Sequence, residues 1–184
     1  MARLIYSTSC SLDGYIADEG GRFDWSVPSD EVHSFINDRM RGIGTHLYGR
    51  RLYEVMAFWH GVDLAELPPV QADFAEIWRR GDKVVYSTTL AEPTTPRTRI
   101  ERRFDADEVR ALVAASDADV LVGGATLAAE AFAAGLVDDV ELYLVPEIVG
   151  GGTPALPHGV RQSLELADTR RFDNGTVLVA YRRA

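Results

Sequence analysis

The sequence predicts a three-layer α/β domain built on a mostly parallel sheet with an antiparallel edge. Three observations carry this. Strand-length apolar runs alternate with amphipathic helical patterns along most of the chain. The last two strand-like runs are joined by Asn174-Gly175, a hairpin signal that makes antiparallel neighbours. Two glycine-punctuated strand ends, Leu47-Tyr48-Gly49-Arg50-Arg51-Leu52 and Val120-Leu121-Val122-Gly123-Gly124-Ala125-Thr126, pass straight into helical patterns.

The elements follow in order. Leu4 to Ser9 reads as a first strand. Cys10 to Pro28 reads as a long irregular segment, punctuated by Asp13-Gly14, Gly20-Gly21 and Pro28. Ser29 caps a helix whose first turn holds Asp30 and Glu31 and whose apolar face is Val32, Phe35, Ile36 and Met40. The strand His46 to Tyr48 leads through the first glycine turn into a short helix near Leu52 to Phe58. After Pro68-Pro69 comes a helix with Val70, Phe74, Ile77 and Trp78 on one face, then the strand Lys83 to Ser87. Thr98 to Arg103 is a charged strand suited to an edge. Asp105, with Glu108 three residues on, resembles a capping box opening a helix with Val109, Leu112 and Val113 inward. Val120 to Val122 leads through the second glycine turn into an alanine-rich helix, Thr126 to Ala134. Val140 to Val145 is too apolar a strand to face water, and a Gly150-Gly151-Gly152 loop follows it. Two strands, about Ser163 to Phe172 and Thr176 to Arg182, close the chain.

At 184 residues the chain fits a single domain, 1–184, able to bury roughly two-thirds of its unfolded surface without staples. Cys10 is the only cysteine, so no intramolecular disulfide, CxxC pair or multi-cysteine zinc site can form, and a reducing cytoplasm is the expected setting. His33, His46, His60 and His158 lack the close spacing of metal ligands, so no metal is expected. A net charge of −9 disfavours nucleic acid and anionic membranes as partners, and any bound anion must be held locally. No run approaches the roughly 20 apolar residues of a membrane span, and the first residues turn polar too soon for a signal peptide.

Both glycine turns have the form of phosphate cradles. Glycine lets the backbone approach a bulky anion, and the first N–H groups of the following helix lack internal partners. Two such turns point to a ligand with several phosphates. Arg50 and Arg51 add the fixed charge that an extra terminal phosphate, as on NADPH, requires. A side chain at Gly124 is expected to clash with the pyrophosphate. The alternative for each turn alone is a tight strand-to-helix connection.

Three further segments carry possible chemistry. Ser11-Leu12-Asp13-Gly14-Tyr15-Ile16-Ala17 has the make-up of a mobile loop closing over a bound ring, or of a plain Asp-Gly turn. Trp25-Ser26-Val27-Pro28-Ser29-Asp30 sets a carboxylate in a first helical turn. There it serves an aminopyrimidine edge, helps supply a proton during reduction, or merely complements the helix dipole. Tyr86-Ser87-Thr88 offers hydroxyls to an adenosine phosphate, or simply ends a strand.

In this order, S-L-D-G-Y-I-A, L-Y-G-R-R-L-Y-E, V-V-Y-S-T and V-L-V-G-G-A-T-L resemble the dihydrofolate reductase superfamily. The nearer likeness is to stand-alone bacterial proteins similar to the reductase half of the riboflavin-biosynthesis deaminase-reductase. It covers nearly the whole chain, including E-L-Y-L-V-P-E-I-V-G-G-G-T-P. The resemblance implies an NADPH-dependent reductase on a sheet of about eight strands, commonly a homodimer. By position it implies cofactor contacts at Gly49, Arg50, Arg51 and Leu52, with Ser87 and Thr88 near the adenosine end. It implies a pyrophosphate turn at Gly123, Gly124, Ala125, Thr126 and Leu127, and a nicotinamide lining at Thr8, Ile16 and Ala17. Asp30 falls where many dihydrofolate reductases keep their pterin-binding acid, whereas Val145 stands where they usually keep a supporting threonine. The H-x-E and P-C-x-x-C zinc signature of the deaminase partner is absent.

The leading functional expectation is therefore a reductase moving a hydride from NADPH to a pterin-like or ribosylaminopyrimidine substrate, with Asp30 as the catalytic candidate. The alternative is an NADPH-binding protein without turnover. A conventional dinucleotide dehydrogenase or a P-loop nucleotidase fits less well, since neither G-x-G-x-x-G nor G-x-x-x-x-G-K-[ST] occurs where it is needed.

Overall fold

The computed structural model describes residues 1–184. Its strands are β1 (Leu4–Ser11), β2 (Tyr15–Ala17), β3 (Ile43–Gly49), β4 (Asp82–Tyr86), β5 (Thr98–Glu101), β6 (Asp119–Gly123), β7 (Asp139–Val145), β8 (Thr153–Pro154), β9 (Leu164–Arg171) and β10 (Val177–Arg183). Its helices are α1 (Asp30–Met40), α2 (Arg50–Met56), α3 (Phe58–Gly61), α4 (Pro69–Arg80), α5 (Ala106–Ala115) and α6 (Ala125–Ala133).

Eight strands form one sheet in the order β5-β4-β3-β6-β1-β7-β10-β9. Every pair from β5 to β7 is parallel, and β10 joins antiparallel to both β7 and β9. β5 lies at one edge, as its charged sequence requires. The hairpin that follows β9 is longer than a two-residue turn. Phe172 N–H donates to Thr176 O, and Gly175 alone has a positive φ, of 87°.

Apolar residues face both sides of the sheet. On one face Leu4, Tyr6, Leu47, Val84 and Val122 meet Val109 of α5 and Leu127, Ala131 and Phe132 of α6. On the other, Ile5 and Leu121 meet Met40 of α1 and Ile77 of α4, while Tyr48 and Val85 meet Tyr53 of α2 and Trp78 of α4. Each large side chain so buried contributes about 1.5–3 kcal/mol. The helix starts follow from local chemistry. Ser29 Oγ accepts from Val32 N–H at 3.4 Å, Pro69 opens α4, and the Asp105 carboxylate accepts from the N–H groups of Asp107 and Glu108.

Two expectations need correction. The segment from Cys10 to Pro28 is not irregular throughout, because β1 runs on to Ser11 in register with β7, β2 pairs with β8, and Asp24–Ser26 forms a 3₁₀ turn. The helix expected at Leu52 to Phe58 is two helices, α2 and α3, with the break at Ala57.

A buried charge holds α1 to the far half of the sheet. Arg39 donates to Glu141 of β7 at 2.8 Å and to Asp168 of β9 at 2.6 Å. Glu141 is a buried acid of β7, two residues from Asp139, and burial raises its pKa against the pull of Arg39.

Candidate active site

Because the strands from β5 to β7 are parallel, their carboxyl ends share one edge of the sheet. α1, α2 and α6 all begin there. The chain leaves β3 toward β4 on one side and leaves β6 toward β7 on the other, past β1. The switch point of the fold therefore lies between β3 and β6, where open α/β sheets place their ligands. Both glycine turns sit at this point, with Tyr48 opposite Gly123 and Gly49 opposite Tyr86 in register.

The three glycines are there for different reasons. Gly123 lies under its neighbours, and a Cβ there would come within 2.7 Å of Leu52 Cδ2 and 2.9 Å of Tyr48. Gly124 has φ +86°, a conformation that disfavours side chains. Gly49 has ordinary dihedrals (φ −73°, ψ 159°), and a Cβ there would meet nothing within 4 Å. Neither packing nor dihedrals demand a glycine here. Neither Gly49 nor Gly124 caps its helix with a side chain, so the first N–H groups of α2 and α6 are left without a side-chain cap.

Other expected contacts divide. Arg50 is paired with Glu54 at 3.2 Å, whereas Arg51 is exposed and has no salt-bridge partner. Ala125 is half-buried and Thr126 exposed at the start of α6, but the Leu127 side chain is buried in the core, so only its backbone is available. Leu52 is half-buried and packs against Gly123. Ser87 Oγ accepts from the N–H groups of Thr89 and Leu90, which makes it first a cap for its own loop, with Thr88 exposed beside it. Arg102 was not expected here. It donates to the carbonyls of Ser87 and Leu90, bringing a guanidinium beside Ser87 and Thr88. No local pattern marks it, since the contact joins two loops.

Toward β1 the cleft changes character. Thr8 is half-buried on β1, and Ile16 and Ala17 lie on β2, tied to Thr153 and Pro154 of β8. The segment is tied down by backbone bonds on both sides. Leu12 N–H donates to Glu147 O at 2.7 Å, and Ala155 N–H to Gly14 O at 2.8 Å. The Asp13 carboxylate accepts from Gly150 N–H at 2.8 Å and Val149 N–H at 3.2 Å. Those bonds and the Ser11 hydroxyl hold its pKa below the usual range, the hydroxyl most of all. The triple-glycine loop is the partner of this segment. A Cβ on Gly152 would lie 2.0 Å from Ala17 O.

Asp30 opens α1 at the same edge, exposed and without a hydrogen-bond partner. The cap is Ser29, which leaves the carboxylate free. One turn on, the His33 ring packs against Phe74 at 5.3 Å and Trp59 at 6.3 Å. Burial pushes its pKa down against the pull of Asp30 and Asp73. A groove of about 590 Å³ lies at the opposite edge of the sheet, where Arg80, Gly81, Arg97 and Asp117 line it, and it touches none of these residues.

The model of the RibD C-terminal domain matches residues 2–178. The chain belongs to the RibD C-terminal domain family. This is a family of NADPH-dependent reductases. The chain is 28% identical over 181 residues to YyaP, an uncharacterized protein of Bacillus subtilis (strain 168), covering 97% of this chain and 94% of that one. A putative riboflavin biosynthesis protein from Shewanella sp. PV-4 superposes with a TM-score of 0.76 at 21% identity, covering 100% and 99% of the two chains. The bifunctional deaminase/reductase of Thermotoga maritima gives 0.66 at 15% identity, and this chain spans 57% of it. Enterococcus faecalis dihydrofolate reductase, complexed with NADP(H), gives 0.63 at 16%, covering 98% and 96%. These structures share the dihydrofolate reductase-like fold. Within the RibD C-terminal domain frame, the glycine turns of this chain hold the switch point and Asp30 the neighbouring helix start.

Proposed function

We propose that this protein is an NADPH-dependent reductase acting on a pterin-like or ribosylaminopyrimidine substrate. The observation that carries the reading is Gly49, a glycine that neither packing nor dihedrals demand, beside uncapped helix N–H groups and the unpaired Arg51. The backbone of Gly49, Gly124, Ala125 and Thr126 would hold the phosphates, with Arg51 on the extra one. When bound, the cofactor supplies the hydride. The chain aligns the ring between Thr8 and the β2–β8 pair and excludes water from it. Asp30 orients the substrate or delivers its proton. NADPH oxidation measured with a panel of pteridines and ribosylaminopyrimidines tests the reading. Tight NADPH binding without oxidation by any of them favours a cofactor-binding protein without turnover.

We further infer that the protein works as a homodimer through β9. All eight residues of this edge strand are exposed, with Leu166 60% exposed, and nothing covers its open backbone edge. An antiparallel twofold pairing of two β9 strands would satisfy these open backbone groups. Light scattering should give twice the chain mass, and Leu166→Asp should give the monomer. A wild-type monomer at micromolar concentration would overturn it.

A further inference from the structure

The substrate half of the cleft, on the α1 side, differs in charge from the cofactor half. We infer that it takes a flat, phosphate-free heterocycle, neutral or carrying amino groups, in preference to a phosphorylated one. This rests on the reductase reading above and narrows its two substrate classes.

Three observations support it. First, the arginines on this side are already engaged. Arg22 is held by Asp18 through its backbone N–H, its Nε and its guanidinium end, each at 2.9 Å. Arg170 lies over the rings of Phe35 and Phe172, at 4.6 and 5.0 Å, and reaches Glu31 at 3.5 Å. Arg79 donates to the carbonyls of Trp59 and Val62. Arg171 alternates to the face of the sheet away from α1, since its register partner is Val177, whereas that of Arg170 is the core residue Leu178. The chain's one lysine, Lys83, is buried.

Second, two carboxylates on this side remain unengaged. The carboxylates of Asp24 in the 3₁₀ turn and Asp30 at the start of α1 are exposed, with no hydrogen bond or salt bridge to any other group. A phosphate dianion brought to them meets like charge, which opposes its binding, whereas amino groups of a ring meet acceptors.

Third, large apolar side chains stand exposed along this edge. Leu12 follows β1, Phe23 and Val27 flank the 3₁₀ turn, Phe58 adjoins the Trp59 that touches His33, and Ile148 follows β7. Such surface suits the faces of a flat ring, not a ribose phosphate tail. The cofactor half, by contrast, carries Arg51 and Arg102.

The test is equilibrium binding to the NADPH-saturated protein, read by calorimetry and independent of turnover. The probes are a matched pair, a ribosylaminopyrimidine with its 5′-phosphate and the same nucleoside without it. The nucleoside is expected to bind about tenfold tighter or more at low salt, with the gap closing at about 0.5 M salt as screening shortens the repulsion. Asp24→Lys should close the gap at low salt while leaving NADPH affinity unchanged. Equal or tighter binding of the phosphorylated probe overturns the inference, as does failure of both probes to bind while NADPH binds. Failure of NADPH itself to bind overturns the cofactor reading first, and this inference with it.

Discussion

The Leu52 side chain, in the first turn of α2, rests on the Cα of Gly123 at the end of β6: a Cβ added to Gly123 would come within 2.7 Å of Leu52 Cδ2. The two glycine turns are thus one packed unit, and each fixes the position of the other. A ligand spanning both meets a preformed surface, which lowers the ordering cost of binding.

The three glycines should respond differently to alanine. Gly49→Ala is expected to keep wild-type stability and to weaken NADPH binding at least tenfold, because its Cβ enters space that only a ligand uses. Gly124→Ala should cost about 1–2 kcal/mol of stability from its positive φ alone, so lost binding there says little about contact. Urea unfolding and calorimetry on both variants separate the effects. Unchanged NADPH affinity in Gly49→Ala would show the first turn to be structural.

Preference for NADPH over NADH should depend on Arg51 and not on Arg50. Arg50 is neutralised by Glu54, whereas Arg51 has no such partner. Arg51→Ala is expected to lose about 1.5–3 kcal/mol of NADPH binding and none of NADH binding, and Arg50→Ala little of either. Dissociation constants for both cofactors on both variants decide this. Equal affinity of the wild type for NADPH and NADH would remove the extra phosphate from the account.

Asp30→Asn should leave the fold intact, since Ser29 is the cap and Asp30 has no partner to lose. With an accepted substrate, kcat/KM is expected to fall about 10²-fold or more with NADPH affinity nearly unchanged. A role limited to the helix dipole gives the opposite pattern, a loss of about 0.3–1 kcal/mol in stability and ordinary turnover. Full activity would exclude Asp30 from the chemistry.

Lys83 should make stability rise with pH in the alkaline range. Its ammonium lies 4.2 Å from the centre of the Trp78 ring, and burial first, then Arg97, lowers its pKa to about 8 from 10.5. The folded value is depressed, so the folded state is penalised while the ammonium must stay charged. That penalty fades as pH rises from about 8 to 10.5 and returns as pH falls. Lys83→Met is expected to gain about 1–3 kcal/mol at pH 7 and almost nothing above pH 10.5. Denaturant midpoints at the two pH values check it, and an equal change at both would rule out titration as the cause.

Much of this architecture was legible because it is local. The i, i+3, i+4 spacing of Val32, Phe35 and Ile36, the caps Ser29 and Asp105, and the Gly49 and Gly123-Gly124 turns all place elements from neighbours in sequence. What escaped joins distant segments. The strands β2 and β8 are three and two residues long, too short for a period, and exist only because Tyr15 and Ala17 meet Pro154 and Thr153. Leu52 and Leu127 stand in the right motifs but turn their side chains to packing. Ser87 spends its acceptor on its own loop, which a strand-end hydroxyl does not advertise. Arg102 declares itself only through carbonyls more than ten residues away.

The bond of β2 to β8 carries a kinetic consequence. Because β2 pairs with β8 and Gly14 and Asp13 bond to Ala155, Val149 and Gly150, opening of this cover is expected to release several backbone bonds together. Amide exchange at Gly150 and Ala155 should accelerate in parallel whenever either segment is loosened, even by a substitution in the other.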